Sequence, residues 1–198
     1  MTKPDSANPS PEALPLKEII ASGLFHCTTP RSFAAIRKEG FIKPNLGDRP
    51  HQHGVSHASR CFRLGAVSLF DAMLEPKRNW LRTWLGAHKP FTVAIKLDPE
   101  KLDRQKLVSC AEARKLTTGV MLPGEVCYKG EIPLEWALGI LIVSVKDVLT
   151  YRYLAGHDAA EPVIVEFRKS LRRKRAATKS KQQRQGGGKK AKVEIRGT

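Results

Sequence analysis

The sequence predicts an α+β domain, a small mixed, mostly antiparallel sheet flanked by short helices, followed by a disordered basic C-terminal tail. Three observations carry this. Apolar and β-branched runs of strand length recur at residues 24–28, 66–70, 91–97 and 138–145. The helical signals between them are brief and capped. From Arg168 onward the chain has almost no apolar side chains to bury. At 198 residues it suits one domain with tails: a disordered N-terminus over 1–11, a folded domain over 12–167 and the tail over 168–198.

The elements follow in order. The N-terminus is rich in Pro, Ser and Asn and has no apolar signal core, and no window reaches the about eighteen apolar residues of a membrane span. These features predict a cytoplasmic protein. Residues 12–22 read as a short helix with Leu16, Ile19 and Ile20 inward and Lys17 and Glu18 toward water. Leu24 to Thr28 is a strand that carries His26. Thr29 then caps a helix with Pro30 at its first position, and Gly40 supplies the left-handed exit before a second short strand from Phe41. Phe33 and Ile36 fall on that helix's buried face, whereas Arg31, Arg37, Lys38 and Glu39 keep the rest wet.

After Pro44 comes a loop, NLGDRPHQHGVSHASRCFRLG, rich in turn formers. Its His51, His53 and His57 with Cys61 invite a metal reading. The spacing is looser than that of closed zinc sites, and a solvated loop is the expectation. Ala66 to Phe70 reads as a buried strand with Ser68 at its middle. A helix through KRNWLRTWLG follows, with Trp80, Leu81, Trp84 and Leu85 on one face and Arg78 and Arg82 on another. Phe91 to Leu97 is the cleanest strand, its Phe91, Val93, Ile95 and Leu97 alternating with Thr92, Ala94 and Lys96. Leu107 to Cys110 is a weaker one, and residues 112–124 read as loop. Glu125 to Tyr128 forms a short strand, Ile132 and Pro133 open a helical turn through Trp136, and Leu138 to Val145 is apolar. Val148 to Leu154 and Val163 to Phe167 read as the last two strands.

Charge is unevenly placed. The whole chain carries +16, yet residues 168–198 hold 13 Lys and Arg against one acid, Glu194, which is +12. The rest has 22 basic against 18 acidic residues, or +4. Such an arm attracts phosphate backbones without reading sequence, in a salt-dependent way, so nucleic acid is the expected partner. The four cysteines, Cys27, Cys61, Cys110 and Cys127, form no CxxC pair, and reduced thiols are the expectation. No GxGxxG, P-loop or nucleophile elbow is present, which disfavours a Rossmann dehydrogenase, a nucleotide kinase and a serine hydrolase.

Two stretches carry a likeness. LFHCTTPRSFAAIRKEGFIKP, Leu24 to Pro44, resembles the opening of the ADP-ribosyltransferase-like fold: a first strand bearing His, a Thr shortly after it, then a helix ending in Gly. GEVCYKGEIPLEWALGILIVSV, Gly124 to Val145, resembles the Glu-bearing end of DarT-type DNA ADP-ribosyltransferase toxins, where a Glu enters a strand as E-V, a basic or Gly turn follows, and I-P leads to a buried strand. The RNA 2'-phosphotransferases are more distant. The likeness spans about residues 22–150 and is carried by its two ends; residues 45–120 match poorly.

The resemblance implies a split sheet and NAD as co-substrate. It assigns His26 to the nicotinamide ribose, the Cys27 main chain to the carboxamide, and Thr28 and Ser68 to the pocket wall, with residues 54–56 a competing placement for the Ser. Glu125 would anchor a ribose hydroxyl, stabilise the oxocarbenium-like cation formed as nicotinamide leaves, and take a proton from the acceptor. Structural alternatives stay open: His26 as a hydrogen-bonded core histidine, and Glu131 or Glu135 as the relevant carboxylate. The pocket arginine is open among Arg60, Arg63 and Arg78, and an antitoxin-like partner is open too. The expected activity is NAD-dependent ADP-ribosyl transfer to nucleic acid, with the tail aiding substrate binding. The alternatives are a noncatalytic nucleic-acid-binding protein on the same fold and an RNA 2'-phosphotransferase-like enzyme.

Overall fold

A computed structural model of the chain describes residues 16–20, 23–46, 59–73, 91–122, 124–144 and 150–186. The expectations placed on residues 1–11, on His51, His53 and His57, on residues 54–56, on the helix carrying Arg78, Trp80 and Trp84, and on the last twelve residues of the tail lie outside the described residues. The chain divides into two compact units, Met1–Ala160 and Glu161–Thr198.

The first unit is built on a seven-stranded sheet and a separate two-stranded one. In chain order the strands are β1 (Leu24–Thr28), β2 (Phe41–Ile42), β3 (Ala66–Asp71), β4 (Thr92–Leu97), β5 (Leu107–Val108), β6 (Glu125–Lys129), β7 (Ile132–Pro133), β8 (Ala137–Ser144) and β9 (Thr150–Ala155). The large sheet has the order β5-β6-β3-β1-β4-β8-β9, and β2 pairs with β7. Every ladder among the described residues is antiparallel; the one parallel contact is an isolated bridge from Ser59 to Val120. The α+β class and the antiparallel majority therefore stand. Among the described residues no helix is long and apolar enough to cross a membrane.

The pairing is uneven at the centre. β1 matches β4 over five residue pairs but β3 over only two, Leu24 with Asp71 and Phe25 with Phe70. Beyond Phe25 the two strands part. β4 lies between β1 and β8, and both its faces are also covered: Thr92 and Ala94 are as buried as Val93 and Ile95, and only Lys96 is half-exposed. The in-and-out alternation expected from the sequence gives way to a central strand for that reason.

Local signals decide the segment after β1. Thr29 accepts a hydrogen bond from the Ser32 amide, Pro30 opens helix α2 (Pro30–Glu39), and Gly40 closes it at φ 78°. Its amide bonds the Ile36 carbonyl at 2.8 Å. Phe33 and Ile36 are buried as the spacing requires. Before β1, helix α1 (Leu16–Ile19) packs Ile19 and Ile20 against Phe25, Phe70 and Leu141.

Three expectations are corrected. The loop reading of residues 45–65 missed a four-residue helix, α3 (Arg60–Arg63), capped by Ser59. The loop reading of 112–124 missed α4 (Cys110–Leu116), opened by a capping box between Ser109 and Glu112; this places Cys110 in a helix rather than in a strand. The strand expected at Val163 to Phe167, and the disorder expected from Arg168, are replaced by one long helix, α5 (Ala160–Gly186). Ala160, Ile164, Phe167 and Leu171 recur at helical spacing and are buried, which is the signal that a strand reading of VIVEF overlooked.

Candidate active site

The parting of β1 and β3 creates the site. Continued in register, β1 would set Cys27 opposite Ser68; instead the Ser68 carbonyl is left to the His26 ring, whose Nδ1 lies 3.0 Å from it. Because a carbonyl only accepts, Nδ1 must carry the proton when the imidazole is neutral, and Nε2 then presents a lone pair. Burial lowers the His26 pKa below the ordinary value, outweighing the carbonyl that favours the charged form. A neutral ring with this tautomer follows.

On the other side of Ser68 lies Glu125. β3 pairs with β6 so that Phe70 faces Glu125 and Ser68 faces Cys127, which sets the Ser68 hydroxyl diagonally beside the carboxylate. Ser68 Oγ donates to Oε1 at 2.6 Å, and the Leu122 amide donates to Oε2 at 2.9 Å. The Glu125 amide returns a bond to the Leu122 carbonyl at 3.0 Å, closing a clasp across Gly124, which sits at φ 74°. Glu125 as a whole is 3% exposed. Desolvation raises its pKa more strongly than the two donors lower it.

Ser68 thus joins the two predicted groups, its carbonyl toward His26 and its hydroxyl toward Glu125. Alternation along β1 turns His26 to the side opposite Phe25 and Cys27, whereas Glu125 shares the face of Phe70. Imidazole and carboxylate therefore approach the gap from opposite sides. Thr28 is buried at the end of β1, and burial pushes the Cys27 thiol up to about 12, so Cys27 can offer only its main chain. Glu131 and Glu135 are exposed, as solvent-facing turn carboxylates should be.

The open question of the arginine narrows. Arg60 donates through Nη1 to the carbonyls of Ala113, at 3.2 Å, and Thr117, while its amide bonds Val120 O at 3.0 Å. Arg63 donates to Thr118 Oγ1. Both guanidinium groups hold the end of α4 and the segment that runs into Glu125, so they position the site; Arg78 lies outside the described residues.

A further correction concerns the cysteines. Cys61 of α3 and Cys127 of β6, expected as free thiols, form a disulfide with 5.2 Å between Cα atoms, and Cys27 and Cys110 are free. The partners are 66 residues apart, and only the packing of α3 on β6 brings them together. Sequence spacing held no signal for this pair, nor for the Leu122 amide. Among the described residues no group of three or more His, Cys, Asp or Glu side chains could hold a metal ion. Comparison with protein-family models, with characterised proteins and with solved structures returns no match.

Proposed function

We propose that this protein is an NAD-dependent ADP-ribosyltransferase that modifies nucleic acid. One observation carries the reading: His26 of β1, Ser68 of β3 and Glu125 of β6, far apart in sequence, are joined by two hydrogen bonds where the sheet opens. Transfer of ADP-ribose breaks the bond between the anomeric carbon and nicotinamide, whose nitrogen keeps the electron pair. A site for it must hold the ribose rigidly and stabilise the cation that is left. His26 Nε2 would accept from a ribose hydroxyl, its tautomer fixed by Ser68 O. Glu125 would stand against the cation, then accept the proton of the attacking acceptor group. Its raised pKa suits that last step, since a carboxylate with a higher proton affinity is the better base.

The preference for a nucleic-acid acceptor rests on α5. On this helix Arg168, Lys169, Arg172 and Arg173 are exposed on consecutive turns, and from Arg168 to Gly186 the sequence has no acid. The RNA 2'-phosphotransferase alternative needs several arginines aimed at a phosphate, and Arg60 and Arg63 are instead engaged with residues 113–118.

The test is incubation with NAD labelled in its adenylate part and single-stranded DNA, RNA or protein extract as acceptor, comparing wild type with Glu125→Gln. Label on a nucleic acid from the wild type alone is expected. Neither transfer nor nicotinamide release from a folded wild type, with salt-sensitive nucleic-acid binding retained, would favour the noncatalytic binding protein.

A further inference from the structure

The disulfide lies against the candidate base. Cys61 Sγ is 3.6 Å from Glu125 Oε1 and 3.8 Å from the Val126 carbonyl, and Cys61 and Cys127 are 1% and 0% exposed. An oxidised sulfur has no proton to offer, and it presents lone pairs to a carboxylate oxygen. A thiol at the same place is a donor. We propose that Cys61 and Cys127 form a redox-modification site whose reduction gives Glu125 a third hydrogen-bond donor, the Cys61 thiol. The exchange is balanced: a small dithiol is oxidised to its cyclic disulfide, the protein S–S bond breaks, and each cysteine sulfur gains one proton. Access to this buried pair runs through local opening of α3, which is only four residues long.

Among the described residues, the other groups around the carboxylate do not supply this control. From β3 comes the Ser68 hydroxyl and from the preceding turn the Leu122 amide, both already bonded to it. His26 meets Ser68 through the carbonyl rather than the hydroxyl. On α3, Arg60 and Arg63 are engaged with residues 113–118. Asp71 on β3 accepts from the Met73 amide, and Lys129, on the same face of β6, lies at its far end opposite Ala66 and is exposed. Tyr128 alternates to the other face of β6. Redox state is then the variable that alters the donor count. Reduction favours the carboxylate and oxidation the protonated acid, so the reduced protein should hold Glu125 ionised to lower pH. The catalytic consequence rests on the transferase reading; the linkage between thiol and carboxylate does not.

The experiment uses the full chain, equilibrated either in air or with excess dithiothreitol. Peptide mass mapping after blocking free thiols should find the peptides of Cys61 and Cys127 joined in the first sample and separate in the second. A carboxyl-carbon NMR titration, with the Glu125 signal assigned by its loss in Glu125→Gln, should give a midpoint lower by about half a pH unit or more after reduction. Cys127→Ser should titrate like the reduced protein with or without dithiol, and Cys61→Ala should show no such lowering in either. Identical midpoints in the two wild-type samples would overturn the proposal, as would failure of the peptides to join in air, or a lowering in Cys61→Ala equal to that in Cys127→Ser. The wild-type comparison needs no variant to remain folded beyond the assignment, and none of these readouts needs transferase activity.

Discussion

The two sides of the central gap are built differently. On one side β1, β4, β8 and β9 pair in ladders of five to six residues, and Val93, Ile95, Leu97, Ile140, Leu141, Ile142 and Val143 are fully buried in them. On the other, β3, β6 and β5 enclose a carboxylate, a serine hydroxyl and a disulfide among Ala66, Val108 and Ala113. Apolar burial dominates the first side, whereas the second, beside its own buried Leu69, Phe70 and Tyr128, keeps a desolvated acid in place with directed hydrogen bonds and a cross-link. Burying a carboxylate is costly, and the sheet confines that cost to the side that is tied down covalently.

The sharpest way to break the contrast is at Glu125 itself. Glu125→Gln should lower ADP-ribosyl transfer by at least about 100-fold, the scale of losing one transition-state contact, while the thermal midpoint does not fall below that of wild type. A comparable loss of stability would reassign Glu125 to the fold. Next comes the cross-link: Cys127→Ser should cost the oxidised protein about 4 kcal/mol, the chain-entropy figure for a loop of this length, and the difference from wild type should shrink on adding dithiol to both. Denaturant melts in both buffers measure it.

On the apolar side the losses should ignore redox state. Ile140→Ala, at a fully buried position, should cost roughly 3 kcal/mol in either buffer. Gly139→Ala should cost about 2 kcal/mol, because the added Cβ would come within 2.6 Å of the Leu154 carbonyl on β9, a backbone atom that cannot swing away. A harmless Gly139→Ala would mean that β8 and β9 are not held in this register.

Smallest is the dependence on pH. For Glu125, whose pKa is raised from 4.5, the favourable contribution of the buried acid is complete below pH 4.5 and is lost as pH rises through the raised value. For His26, lowered from 6.5, the contribution is complete above pH 6.5 and is lost as pH falls through the lowered value. Glu125→Gln should therefore gain on wild type as pH climbs from 4.5 through the raised value. Thermal midpoints across pH 4–8 read the difference, and parallel curves would count against a desolvated Glu125.

Much of this molecule could be read directly from residues. Thr29, Pro30, Phe33, Ile36 and Gly40 specify α2 and its ends because capping, apolar spacing and a left-handed exit act within a few residues of one another. The same local rules gave β1, β3 and β6, and with them the positions of His26, Ser68 and Glu125. They failed at Val163 to Phe167, where a short apolar run fits a strand until Ala160 and Leu171 are counted with it, and at α3 and α4, too short to show a helical period. What no local rule holds is which strands become neighbours. The closing of Cys61 on Cys127, the commitment of Arg60 to carbonyls more than fifty residues away, and the covering of both faces of β4 all depend on long-range packing. So does the gap itself, where β1 pairs with β3 over two residue pairs and with β4 over five. Sequence alone singled out His26, Ser68 and Glu125 as candidates, because side-chain type and local conformation are short-range properties. Tertiary structure alone decided that they meet, what desolvates them and which sulfur stands beside the acid.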